Sequence, residues 1–141
     1  QMGVDLRDLD AVVADADFLT IHLPKTPETM GLINADLLKK AKRGVRIVNA
    51  ARGGIVDEAA LADALASGHL AGAALDALAD EPPPPGFALG RLDTVVLTPH
   101  TGAHTDRAAQ AMARGALDNC LAVLRGLPAP NAVVPTATRS S

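Results

Sequence analysis

Apolar positions along the chain switch between two periods. Leu6, Leu9, Val12 and Val13 recur at helical spacing, and "DFLTIHL" (17–23) then forms a continuous apolar and β-branched run. The first pattern predicts a helix and the second a buried strand. "PKTPET" (24–29) is a proline-punctuated loop, after which Asn34 can cap a short helix running through Lys40. "GVRIVNA" (44–50) predicts a second strand. Asp57 is placed to cap a third helix to about Ala66, with Gly68 to end it. "LAGAALDA" (70–77) is small and apolar enough for a central strand buried on both faces, and the proline loop "DEPPPPG" (80–86) separates it from the short strand "TVVLTP" (94–99). A long helical pattern runs from about His104 to Arg125, "GLPAPNAVVP" (126–135) leaves it extended, and "TATRSS" (136–141) is expected to be a disordered tail.

Strands alternating with helices at this spacing predict an α/β fold with a doubly wound parallel sheet and right-handed crossovers. A sheet of that kind that binds a dinucleotide carries a G-x-G-x-x-G turn between its first strand and helix, so that backbone amides reach the pyrophosphate. Neither "ARGG" nor "GHLAG" supplies that spacing. Either the sheet binds something else, or the first half of a nucleotide domain lies upstream of Gln1. The helical opening, with no strand before it, favours the second, so the sequence is read as the distal half of such a sheet and as a fragment.

Composition narrows the function classes. The 141 residues carry 13 Lys and Arg against 16 Asp and Glu, with only two Phe as aromatics. Neither a phosphate-tracking basic groove nor a base-stacking platform is indicated, so nucleic acid is not an expected partner. No apolar run approaches the roughly 18 residues that span a bilayer, and no membrane association is expected. A single cysteine, Cys120, has no partner for an internal disulfide, and no Cys/His pair has zinc-site spacing. This suits a cytoplasmic setting with no metal, and Cys120 is read as a buried small hydrophobe.

Three loops that follow successive strands each offer one reactive group: Arg52 after "RIVNA", Glu81 in "DEP", and His100 in "TPHTGA". Parallel strands bring such loops to one edge of the sheet. The planar fork of an arginine grips a carboxylate, a histidine exchanges a proton near neutrality, and an adjacent carboxylate favours the charged imidazole. Such a set suits redox chemistry on a 2-hydroxy acid. Asp76 ends a strand of small apolar residues, where a carboxylate needs donors. Two readings stay open: a bound carboxamide, or the backbone amides of a neighbouring loop. His22 reads as packed or hydrogen-bonded within its strand, His69 as a surface turn residue, and His104 as a helix-opening cap.

Taken together, "HLPKTPETMGLINADLL", "KRGVRIVNAARGGIVDEAALADALASGHLAGAALDALADEPPP" and "VVLTPHTGAHT" resemble in order and spacing the D-isomer-specific 2-hydroxyacid dehydrogenases. The likeness is strongest to the phosphoglycerate-oxidising branch and covers about residues 5–126. It implies a Rossmann-type NAD-binding domain, of which 1–103 would be the distal part. Residues 104–135 would form an interdomain helix and a return segment to a substrate domain. It further implies that Arg52 orients the substrate carboxylate, that His100 is the acid/base, and that Glu81 is its paired carboxylate. Leu23, Ala50, Ala51, Arg52, Asp76, His100, Thr101, Gly102 and Ala103 would line NAD, with Asp76 holding the nicotinamide carboxamide.

The implied reaction passes a hydride between NAD and a small 2-hydroxy or 2-oxo acid. The foremost expectation is 3-phosphoglycerate going to 3-phosphohydroxypyruvate, a step of serine biosynthesis. Hydroxypyruvate, glyoxylate and a phosphonate analogue are the alternatives, and a homodimer is expected. Leu78 stands where the family commonly has an aromatic, and His104 where it has a small polar residue. A reading of another class is a dehydrogenase-like regulatory protein that senses NAD(H) without turnover, against which the full set of Arg52, Glu81 and His100 argues.

Overall fold

The computed structural model describes residues 3–133, so the tail at 136–141 and the last two positions of the 126–135 segment lie outside the described residues. Its elements are α1 (Leu9–Asp15), β1 (Phe18–Ile21), α2 (Ala35–Lys40), β2 (Arg46–Asn49), α3 (Glu58–Ala66), β3 (Gly72–Leu75), a 3-10 turn at Leu89–Arg91, β4 (Val95–Leu97) and α4 (Asp106–Leu124). The strands form one parallel sheet in the order β1-β2-β3-β4. This is the α/β Rossmann-type sheet the sequence leads one to expect. Strand order runs in a single direction among the described residues, as it does within one half of a doubly wound sheet.

Local chemistry sets the element ends. Asn34 accepts from the amides of Asp36 and Leu37 to start α2, and Asp57 accepts from those of Ala59 and Ala60 to start α3. Each satisfies donors that the first helical turn leaves without partners. Gly68, at φ +67, follows α3 in the left-handed conformation that ends helices. The strands are shorter than their apolar runs by one or two residues at either end, because main-chain pairing stops where the chain turns into the loops. The first helix is likewise shorter, and Leu6 lies outside it, 95% exposed.

α1 packs on α2 and α2 on α3, giving one layer of helices over one face of the sheet. Strand alternation sends Ile21, Ile47, Asn49, Ala73 and Leu75 into that layer, where they are buried with Val13, Leu37, Leu61 and Leu65. Fully burying a side chain such as Ile47 or Leu75 stabilises by about 1.5–3 kcal/mol. The alternate positions face the other way, and Phe18 and Val96 remain 65% and 61% exposed. Arg46 covers part of this face by placing its guanidinium over the Phe18 ring, 5.6 Å from the centroid.

Two expectations are corrected here. β3 is not buried on both faces: Gly72, Ala73 and Leu75 are buried but Ala74 is only half-buried, because among the described residues helices cover a single face. The run at 17–23 is not a buried strand throughout, since Phe18 and Thr20 are exposed for the same reason.

The chain divides into two compact units after Gly102. The second holds α4, which Thr105 caps by accepting from the amide of Ala108; the cap is therefore Thr105 and not His104. No residue of α4 is buried, so Cys120 is exposed rather than the buried hydrophobe its type suggests. Among the described residues no helix is long and apolar enough to cross a membrane.

Candidate active site

Because all strands are parallel, their carboxyl ends share one edge, and the loops leaving that edge carry every candidate side chain. The loop after β2 is organised by Asn49, which is buried to 2% exposure. Its Oδ1 accepts from the amide of Ala51 at 3.1 Å and its Nδ2 donates to the Arg52 carbonyl at 3.1 Å. One buried amide side chain thus closes the turn that presents Arg52. The guanidinium donates to the Ala51 carbonyl at 2.7 Å and is otherwise exposed. Sequence reasoning missed Asn49; the signal was a carboxamide at the end of an apolar strand, where burial demands partners for it.

Asp76, at the end of β3, gathers the loop after β4. Thr98 Oγ1 donates to Asp76 Oδ1, the amide of Thr101 donates to the same oxygen at 2.9 Å, and the amide of Gly102 donates to Oδ2 at 2.8 Å. These bonds hold the Asp76 carboxyl below the ordinary aspartate range, the Thr98 hydroxyl contributing most and the Gly102 amide next. A Cβ on Gly102 would stand 2.8 Å from Oδ2, so only glycine lets the backbone come this close. Of the two readings of Asp76, the amide-capping one describes its present contacts.

Between Thr98 and Thr101 the chain turns through His100, whose φ of 54° is the one left-handed non-glycine backbone among the described residues. Such a conformation costs of order 1–3 kcal/mol and persists where neighbouring contacts impose it. Here the Asp76 clamp grips both sides of the histidine. Its ring reaches the other proline loop: Nδ1 lies 2.9 Å from Glu81 Oε2 and 3.1 Å from Oε1. Glu81 also accepts from the amide of Leu78 at 2.9 Å through Oε1. Its carboxyl lies below the ordinary glutamate range, lowered first by His100 and then by the Leu78 amide. The Glu81–Pro82 peptide is cis.

The three candidate groups therefore divide. Glu81 and His100 meet and line a largely apolar cavity of about 420 Å³ with Leu78, Pro82 and Leu97. Arg52 bonds to neither; it borders a cleft of about 390 Å³ with His22, Leu23, Lys25, Ala50 and Ala51. Between their loops, a third cleft of about 270 Å³ opens beside Val48, Ala50, Ala74, Asp76, Val96, Thr101 and Gly102. Ala103, the last expected lining residue, opens the second unit. Among the other histidines, His22 is exposed and bonded to Thr20 Oγ1 at 2.8 Å, and His69 is half-buried, bonded to the Leu38 carbonyl at 3.0 Å.

This edge fits the reacting end of a nicotinamide cofactor. The cleft beside Asp76 is walled by small side chains and by backbone, and the Cβ-free approach at Gly102 keeps it open. Asp76 has used three of roughly four carboxylate acceptor directions, which leaves one for an amide donor. No glycine-rich pyrophosphate turn occurs in the sequence, so the fit concerns the nicotinamide end.

Comparison with known proteins gives the family. Residues 1–102 match the family described as D-isomer specific 2-hydroxyacid dehydrogenase, NAD binding domain. A D-3-phosphoglycerate dehydrogenase of Mycobacterium tuberculosis is 50% identical over 135 residues, covering 94% of this chain and 25% of the relative. The chain spans about a quarter of the length of the curated relatives of that name. Among solved structures, a Thermus thermophilus protein superposes with a TM-score of 0.87 at 44% identity, covering 91% of this chain and 41% of that one. The D-lactate dehydrogenase of Lactobacillus jensenii with NAD+ does so with a TM-score of 0.85 at 30% identity, covering 91% and 42%.

Proposed function

The chain belongs to the D-isomer-specific 2-hydroxyacid dehydrogenase family as part of its NAD-binding domain, and on that premise we propose that the protein carrying it oxidises and re-forms D-2-hydroxy acids with NAD. The observation that carries the reading is the contact of His100 Nδ1 with Glu81, 2.9 Å long, at the sheet edge where the Arg52 turn also emerges. A non-catalytic sensor has no use for an imidazole paired with a carboxylate at this edge.

NAD, when bound, supplies the hydride acceptor, and Leu23, Ala50, Ala51, Arg52, Asp76, His100, Thr101, Gly102 and Ala103 would line it. Arg52 binds the substrate carboxylate through its fork and orients the C2 carbon. Neutral His100 takes the C2 hydroxyl proton on Nε2 as the hydride leaves, and returns it in the reverse direction. Glu81, bonded to Nδ1, fixes the ring's tautomer and offsets the charge of the imidazolium that forms. The product of oxidation is a 2-oxo acid.

3-Phosphoglycerate is the substrate this reading favours, supported by relatives named for it at 43–50% identity. That would place the protein in serine biosynthesis. Residues 1–103 act as the distal cofactor domain and 104–135 as the link to a substrate domain. A cytoplasmic homodimer with small-acid substrates, and neither nucleic acid nor membrane as a partner, completes the proposal. The test is turnover by the purified full-length protein: NADH formation with 3-phosphoglycerate, D-lactate and D-glycerate, each against its L enantiomer where one exists. D-selective NADH formation is expected, and absence of turnover with every D acid would overturn the reading.

A further inference from the structure

Glu58 opens α3, one residue after the cap, where an acidic side chain usually needs no further reason than the helix dipole. Its carboxylate does something more specific. Oε1 leaves the helix and accepts from the amide of Ala79 at 2.6 Å, within the turn that leads from β3 to Glu81. The same peptide unit packs directly against Gly53, the residue after Arg52. A Cβ on Gly53 would lie 1.7 Å from the Leu78 carbonyl oxygen and 2.6 Å from Ala79 N. The neighbouring amide, of Leu78, is taken by Glu81 itself at 2.9 Å.

The Leu78–Ala79 peptide is thus clamped between the Arg52 turn and the first turn of α3. Glu81 leaves that clamped turn to meet His100. We propose that Glu58 is a positioning residue for the Glu81–His100 pair, locking the Leu78–Glu81 turn against the Arg52 loop so that acid/base and carboxylate handle share one rigid frame. The inference rests on the assignment of His100 as acid/base. It assigns Glu58 no contact with substrate or cofactor. The bond is charge-assisted and short, which suits a part that must hold a turn without moving.

A role through the helix dipole alone makes different demands from this one. A helix-dipole role needs only negative charge, which Glu58→Asp keeps; its side chain is one methylene too short for Ala79. The positioning role needs an acceptor at this reach, which the carboxamide oxygen of Glu58→Gln keeps while losing the charge. In the full-length protein, Glu58→Asp and Glu58→Ala should lower kcat roughly tenfold or more, since small misplacements of reacting groups are costly. Glu58→Gln should restore most of it, and KM for NAD should stay near wild type in all three. The inverse order, with Asp active and Gln impaired, would overturn the proposal, as would wild-type kcat in Glu58→Ala. His100→Ala, assayed in parallel, keeps the two readings apart. If it is inactive while Glu58→Ala is wild type, Glu58 alone was misassigned; if it is fully active, the acid/base assignment itself falls.

Discussion

His100 Nδ1 and Glu81 Oε2 lie 2.9 Å apart although 19 positions separate them in sequence and each leaves the sheet from a different strand. The contact exists because two independent clamps aim the partners: Asp76 grips the loop on both sides of His100, and the Leu78 amide holds Glu81.

Replacing Glu81 by Gln removes the charge while keeping the shape. Folding favours the Glu81 carboxylate, because His100 and then the Leu78 amide lower its titration from the ordinary 4.5. The stabilisation is therefore fully present above that value and is lost as pH falls through the lowered one. Thermal denaturation should give a lower Tm for Glu81→Gln than for wild type at about pH 5 to 6, the difference closing as pH falls below roughly 4.5. In the full-length protein the same variant should lose about one to two powers of ten in kcat. A Tm difference that widened as pH fell below roughly 4.5 would contradict the pairing.

Gly53→Ala should be far more harmful than a methyl suggests. The added Cβ meets backbone at 1.7 Å, which no rotamer relieves, so either the Arg52 turn or the Leu78 peptide has to move. Urea denaturation should show a loss of about 1–3 kcal/mol or more. By contrast Gly115→Ala, whose Cβ would meet nothing within 4 Å, should be neutral or slightly stabilising.

Asn49→Ala leaves the buried Ala51 amide and the part-buried Arg52 carbonyl without their side-chain partner. A loss of about 1–3 kcal/mol is expected for the buried groups left without partners. Because the turn itself loosens, KM for the hydroxy acid in the full-length protein should rise more than KM for NAD.

Much of this fold was legible because it is written locally. Asn34 and Asp57 name the helices they cap, and the apolar runs around Ile47 and Leu75 name their strands. Strand lengths were not, since an apolar run continues past the point where pairing ends. Burial was misjudged where it depends on layers beyond a short window: Phe18, Ala74 and Cys120 look like core residues and have no covering layer among the described residues. At the site, Arg52, Glu81 and His100 stood out by type and by position after strands. Their convergence at one edge followed from the parallel strands, but the contacts that fix it did not, because Gly53 against Leu78 and Glu58 against Ala79 join distant segments and leave no periodicity. Asn49 and Thr98 were overlooked for another reason: their partners are backbone groups, to which sequence gives no address.

The role proposed for His100 is to exchange the substrate proton, with Glu81 behind it. The most direct measurement is kcat of the full-length protein and of His100→Ala, with NAD and 3-phosphoglycerate, near neutral pH. A fall of about two to four powers of ten is expected for the variant. Wild-type turnover in folded His100→Ala protein would contradict it.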